Sequence, residues 1–330
     1  MTAASEPLSA KRGWCRGLIP ALKILLSLAC LAAVWRWIDP AGLGEQIKGL
    51  APLTFALAVA LSLFHKVLNT VKVRLLFPPP RPDFLKILKV NFITVFFNSF
   101  LPGGIGGEIA RWTYLGRESR SKSLALAVIL LDRITGLWAQ IFLAAAAWLW
   151  VSRDRITLWA AGPAIVTVLL GSLWAGLWGY QGLTAGLSRL GGWYARRRGD
   201  PDEAPEDISK ALADLLASRS RFLRVAGLSL TSQVLVVAIF LLVDRSVGGD
   251  LGMAQGMLFL FCYTLVLLLP VTIGSWGLSE GALGIMYHYS GAQGATGVVI
   301  ALLLRIMDLP AAFLGWILFL RYRSRNKTLS

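Results

Sequence analysis

Apolar stretches of about twenty residues alternate with short polar connections along most of this chain. Runs at about 18 to 37, 51 to 69, 123 to 150, 157 to 179, 223 to 243 and 294 to 320 each approach the ~20 residues a helix needs to cross a bilayer. They predict six transmembrane helices. Two further apolar regions, about 84 to 118 and 253 to 290, are interrupted midway by proline and glycine. Leu101 to Glu108 reads LPGGIGGE, and Leu269 to Glu280 reads LPVTIGSWGLSE. Each predicts a re-entrant hairpin of two half-helices, because proline ends a helix and glycine permits the turn that follows.

Irregular backbone at membrane depth survives only where protein or a wet cavity satisfies its polar groups. Pro102 is read as the end of one half-helix, and Gly103, Gly104, Gly106 and Gly107 as the turn. The next half-helix is expected near Glu108, with its N-terminal N–H groups facing inward, an arrangement that suits an anion. Pro270, Gly274, Gly277 and Glu280 repeat this order in the second region.

The two regions belong to a longer internal repeat. Glu108 is followed 25 positions later by Arg133, and Glu280 by Arg305 at the same spacing. Applying the offset of 172 residues between the glutamates lays 51 to 69 onto 223 to 241, and 123 to 150 onto 295 to 322. Three full crossings per half is an odd number, so the second half should enter the membrane from the opposite side. The expected fold is an all-α polytopic membrane protein, one domain over 1 to 330, with repeat one at about 18 to 150 and repeat two at about 157 to 323. A polar stretch at about 181 to 222 reads as a cytoplasmic linker with an amphipathic helix on the membrane surface.

Composition agrees with the membrane class. Apolar residues make up 56% and charged residues 15%, against about 25% charged in soluble domains. The net charge of +15 could suggest nucleic acid, but its distribution does not. Arg36, Lys48, Arg153, Arg155 and Arg245 fall outside, Arg133 and Arg305 are read as buried, and the other Lys and Arg fall in cytoplasmic segments or at their helix ends. That bias places both termini in the cytoplasm and the protein in the cytoplasmic (inner) membrane, facing anionic lipid headgroups rather than nucleic acid. A competing assignment of 253 to 271 as a complete span puts the C-terminus outside, against the charge rule. The first apolar run is long for a signal-peptide core and lacks a small-x-small site, so it is expected to be uncleaved. Cys15, Cys30 and Cys262 are scattered, with neither metal-ligand spacing nor a disulfide framework.

An ionisable side chain at bilayer depth costs roughly 3 kcal/mol on insertion scales and usually faces a protein interior or a wet cavity. Arg133 and Arg305 are therefore candidates to engage a phosphate. Glu108 and Glu280 would balance them, or bind an amine or a proton. The alternative is that both are neutralising ion pairs that only fix helix packing. Asp132 and Asp308 lie near the arginines, Asn91 and Asn98 are placed to hydrogen-bond the opened backbone, and Arg111 either reaches a headgroup or snorkels to the interface. His65 and His288 form no metal-binding cluster, and no nucleophile, phosphate-loop or dinucleotide motif stands in the context its chemistry needs. The expectation is a protein that is not an enzyme and has no metal or cofactor.

Asn98-x-x-Leu-Pro-Gly-Gly-x-Gly-Gly-Glu108-x-x-Arg111, then Asp132-Arg133-x-x-Gly136, then Leu269-Pro270 with Gly277-x-x-Glu280, resembles the lysylphosphatidylglycerol synthase transmembrane region, or flippase-like family. The resemblance implies a multi-pass cytoplasmic-membrane protein. In full synthases this region is associated with moving aminoacylated lipid between leaflets, while a separate C-terminal domain makes that lipid. This sequence shows no such domain, so the resemblance implies lipid handling without aminoacylation. Stand-alone relatives are associated with hopanoid and polyprenyl-linked glycan pathways, which would make an envelope-lipid biosynthesis enzyme a partner. The expected function is translocation of a lipid between leaflets, with a soluble-solute transporter and a non-transporting assembly factor as alternatives.

Overall fold

The computed structural model describes residues 25–34, 36, 44, 48–100, 105–119, 121–151, 218–268 and 272–327. Among them the secondary structure is helical throughout, without strands. The helices are α1 (Leu25–Val34), α2 (Pro52–Leu76), α3 (Phe84–Phe100), α4 (Ile105–Ser119), α5 (Lys122–Val151), α6 (Arg219–Ser246), α7 (Met253–Leu268), α8 (Leu278–Tyr289), α9 (Gly294–Met307) and α10 (Leu309–Lys327). A short 3-10 turn, Ile273–Ser275, precedes α8. Four segments are long and apolar enough to cross a bilayer: Pro52–Leu76, Lys122–Val151, Arg219–Ser246 and Gly294–Tyr322. The chain is thus a multi-pass membrane protein.

Local chemistry sets several boundaries. Pro52 opens α2, where the N–H it lacks would have had no helical partner. The same helix stops at Phe77, which is extended ahead of Pro78, Pro79 and Pro80, as a residue before proline prefers. Met307 and Leu309 lie on either side of a turn at Asp308, because Pro310 has no N–H to give to the carbonyl of Ile306. The run expected as one helix at 294 to 320 is therefore interrupted at Asp308. Its first-half counterpart, α5, continues unbroken over 30 residues. The apolar run at 18 to 37 is described as helix over Leu25–Val34. The run at 157 to 179, most of the linker, Pro102, Gly103, Gly104 and Pro270 lie outside the described residues.

At the offset of 172 residues, α2, α3 and α4 fall on α6, α7 and α8, and α5 falls on α9 with α10. Packing follows the same correspondence. Helices α2 and α6 lie against each other, α4 packs on α5, and α8 packs on α9. Helices α3 and α7, besides packing on α4 and α8, lie on the last segment of the other half, α3 on α10 and α7 on α5. The halves are interlocked by this exchange.

The apolar core lies in two clusters, each drawn mainly from one half, with Val225 of α6 entering the first and Ala58 of α2 the second. Val73, Phe77, Ile87, Val90, Leu115 and Val128 join α2 to α5 on one side. Phe240, Val243, Leu283, Tyr287 and Ile300 join α6, α8 and α9 on the other. Between these cores, the facing walls of α2, α3, α5 and α6 carry polar side chains.

Candidate functional site

Glu108 lies in the first turn of α4 and Glu280 in the first turn of α8. Helix α5 carries Arg133 to the first, and α9 carries Arg305 to the second. Both predicted pairs are in contact: Arg133 donates from Nη2 to Glu108 Oε1, and Arg305 Nε donates to Glu280 Oε1 at 2.8 Å. Beyond that bond, the two environments differ.

The second pair is closed. Glu280 is 2% exposed and Arg305 24%. Arg305 also donates to the Gly274 carbonyl at 3.0 Å and to Ser279 Oγ at 2.7 Å, and its guanidinium lies 4.2 Å from the Trp276 ring centroid. The other oxygen of Glu280 accepts from the Gly277 N–H at 2.7 Å and from Ser279 Oγ at 3.0 Å. The carboxylate therefore caps its own helix, filling the place an anion would take at a free N-terminus. Gly277 is required twice over: its φ is +80°, and a Cβ there would lie 2.6 Å from Cys30 Cβ and 2.7 Å from the Leu31 nitrogen. What approaches this glycine is α1. Gly274, at φ +58°, supplies the preceding turn and the carbonyl that Arg305 holds.

The first pair is open. Arg133 is 54% exposed and Glu108 28%, and Glu108 Oε2 has no partner among the described residues. Both line a cavity of about 310 Å³. Helix α2 contributes His65, Lys66, Asn69 and Lys72, and α3 contributes Asn91, Thr94, Val95 and Asn98. Arg111 comes from α4, and Asp132, Gly136, Leu137 and Gln140 from α5. The second half closes the cavity with Ser232, Gln233 and Thr264.

Asp132 anchors one wall. It lies 2.7 Å from Lys72 Nζ and accepts from Arg111 Nη2 at 2.8 Å, and all three side chains are under a tenth exposed. Such a triad is tolerated at depth because opposite charges offset one another's desolvation. Arg111 is thus buried on a carboxylate instead of snorkelling to an interface. Lys72, expected in a cytoplasmic segment or at a helix end, lies inside α2 and is 5% exposed. Helix α2 continues past the predicted limit of 69 to Leu76, which puts Lys72 one turn from its end, where Asp132 neutralises it.

The remaining predicted residues fall on or beside the cavity. Asp308, at the break between α9 and α10, pairs with Lys66 at 3.1 Å. Asn91 donates to Thr70 Oγ1 at 2.8 Å, bonding a neighbouring helix and not opened backbone. Asn98 faces Gly107 so closely that a Cβ on this glycine would overlap the amide. Gly106 lies in the first turn of α4. Gln140 donates to Thr264 Oγ1 at 2.7 Å, His65 Nε2 is 2.8 Å from Ser232 Oγ, and Gln233 donates to the Gly136 carbonyl at 3.3 Å; all three bonds join the halves across the cavity.

Sequence reasoning missed His65, Lys66, Asn69, Lys72, Gln140, Ser232, Gln233 and Thr264. A signal existed for some of them. His65, Asn69 and Lys72 recur at helical spacing, as do Asn91, Thr94 and Asn98, giving each helix a polar stripe.

No curated protein and no solved structure matches the chain. The family model described as Lysylphosphatidylglycerol synthase TM region matches residues 21–329, nearly the whole length. A multi-pass helical chain with the Glu108 and Glu280 breaks, matched over that span, belongs to the lysylphosphatidylglycerol synthase transmembrane-region family.

Proposed function

We propose that this protein moves a lipid between the leaflets of the cytoplasmic membrane, with the headgroup passing through the cavity beside Arg133 and Glu108. The observation that carries the reading is this cavity, charged and amide-lined, set among helices long enough to span a bilayer. Ionisable groups at such depth ordinarily mark a substrate path. Membership of a family whose name refers to a lipid synthase supports a lipid cargo.

In this reading Arg133 engages the lipid phosphate and Glu108 balances it when the cargo has left. The acyl chains stay in the bilayer while only the headgroup enters the polar wall. The halves are an inverted repeat with both termini cytoplasmic, so the two hairpins open to opposite sides, and the bonds across the cavity at Gln140, His65 and Gln233 are broken and remade as one half moves against the other. The protein acts as a carrier and not as an enzyme.

The test is reconstitution of the full chain in phosphatidylcholine vesicles with fluorescent lipids, reading the fraction reached by an external quencher. Movement that requires Arg133 is expected. Vesicles in which folded protein moves no lipid overturn the proposal. Topology is tested by cysteine accessibility: positions near 246 to 250 should label from outside and positions near 200 to 207 from the cytoplasm. External labelling of the C-terminal tail would remove the inverted arrangement.

A further inference from the structure

The charge balance of the cavity selects a headgroup, an inference that rests on the lipid reading above. Among the described residues, Lys66, Lys72, Arg111 and Arg133 face the cavity against only two carboxylates, Glu108 and Asp132. A third carboxylate, Asp308, lies against Lys66 at 3.1 Å. One positive charge is left over. In low-dielectric surroundings an unbalanced ion is penalised by several kcal/mol, so the most favourable occupant is a monovalent anion.

Donors are available for it. Arg111 is 5% exposed, and its buried Nε has no partner among the described residues. Among the described residues Arg133 is bonded to Glu108 alone, leaving most of its five N–H donors to a ligand. A phosphodiester fits this donor set and this charge.

The rest of the headgroup follows from what the walls lack. Each carboxylate already has a cationic partner: Glu108 has Arg133, Asp132 has Lys72 and Arg111, and Asp308 has Lys66. An ammonium on the cargo would cancel its phosphate and restore the surplus positive charge. Hydroxyls do not. Asn69, Asn98 and Gln233 present amides that both donate and accept, which is what a hydroxyl needs. At about 310 Å³ the cavity is at the lower limit of small-molecule sites, which run from about 300 to 1,000 Å³. That is room for one small polyol and too little for an oligosaccharide.

We infer that the cavity takes a lipid phosphodiester whose headgroup is an uncharged, hydroxyl-bearing polyol such as glycerol, and that it discriminates against aminoacylated and ethanolamine headgroups. The full chain in phosphatidylcholine vesicles would be given acyl-labelled phosphatidylglycerol, phosphatidylethanolamine or lysylphosphatidylglycerol, with glycerol 1-phosphate as a soluble competitor. Phosphatidylglycerol should move roughly tenfold faster than either amine-bearing lipid, the factor that ~1.4 kcal/mol of selectivity provides. Equal movement of all three would overturn the headgroup assignment and leave the lipid reading standing. The same assignment falls if lysylphosphatidylglycerol moves fastest. Uptake of glycerol 1-phosphate with no lipid movement would remove both.

Asp308→Asn removes one negative charge at the cavity edge and unpairs Lys66, raising the net charge by one without touching the clusters at Glu108 and Asp132. At pH 8 it should shift preference toward the dianionic headgroup of phosphatidate relative to phosphatidylglycerol, by roughly tenfold if one charge at this depth is read by the ligand. An unchanged ratio in a well-folded variant means that the balance of charge does not select the cargo.

Discussion

Glu108 with Arg133 and Glu280 with Arg305 are the same two residue types at the same spacing, built on corresponding helices, yet they occupy opposite environments. The second pair is saturated: Arg305 has a carboxylate, a carbonyl, a hydroxyl and an aromatic face around it, and Glu280 caps α8. The first pair has one bond and opens on the polar cavity. The offset of 172 residues shows how they diverged. Asn69, Asn91, Thr94, Arg111, Asp132 and Gln140 of the first half stand where the second half has Leu241, Tyr263, Val266, Leu283, Leu304 and Ala312. The second half keeps the ion pair and sets apolar or aromatic side chains at these six positions, while the counterpart of Lys72 is Asp244, a buried carboxylate that accepts from Tyr287 and the Leu251 N–H. A matched pair within a repeat therefore does not imply two matched binding sites.

The largest effect that would break this comparison is at Arg305. Truncating one partner of a buried pair leaves the other charge uncompensated, at about 3–5 kcal/mol. Arg305→Ala should therefore lower the melting temperature sharply and reduce the monodisperse fraction in detergent, with Glu280 and the Gly274 carbonyl left unpaired. An Arg305→Ala protein as stable as the parent would mean that the second pair is no staple.

Next comes Arg133, where the effect should fall on transport and spare the fold. Arg133→Ala removes a half-exposed side chain with one partner, yet takes the most accessible donor from the cavity. Lipid movement per folded molecule is expected to drop roughly thirtyfold or more, the factor for losing a ~2 kcal/mol charge contact to a ligand. Loss of folding in place of loss of movement would make the two halves equivalent after all.

Gly277 sharpens the contrast at smaller scale. Gly277→Ala forces a Cβ against Cys30 at a positive φ, and overpacking of this kind costs about 1–3 kcal/mol. The readout is thermal stability, and α1 should be the first element to lose protection from hydrogen exchange. In the first half, Gly107→Ala instead displaces the Asn98 amide, so its effect should fall on movement more than on melting. Melting temperatures lowered equally by both substitutions would show that the two breaks serve the same role.

The smallest effect is expected from giving the first half a residue of the second. Asn69→Leu copies Leu241 and removes a polar wall group without breaking an ion pair or a hydrogen bond among the described residues. Movement of a hydroxyl-bearing lipid should fall about tenfold, since a hydrogen bond denied to a buried polar group is worth about 1–3 kcal/mol, while stability stays level or rises slightly. Unchanged movement would place Asn69 outside the path.

Much of this was legible in the sequence. Hydrophobic runs gave the four crossing-length helices to within a few residues at most boundaries, since helix length in a bilayer is a matter of apolar count. The two ion pairs could be read from spacing alone, because at membrane depth each charge needs a partner and the repeat supplied the candidates. Lys72 lies one turn from the end of α2, in keeping with the expected place at a helix end, but its burial against Asp132 is announced by nothing local to residue 72.

The sequence by itself determined the class of protein, four helices of crossing length and which glutamate meets which arginine. These follow from periodicity, composition and the price of isolated charge in hydrocarbon, all of which act along the chain or between equivalent positions. Only the tertiary structure decided which pair is closed and which is open. That choice rests on what the neighbouring helices bring: α1 and Trp276 against one pair, and Lys66, Lys72, Arg111 and a row of amides around the other. Lys66 and Lys72 reach the first pair because α2 packs on α3, α5 and α6, and Cys30 of α1 closes the second, contacts that the spacing of glutamate and arginine does not specify.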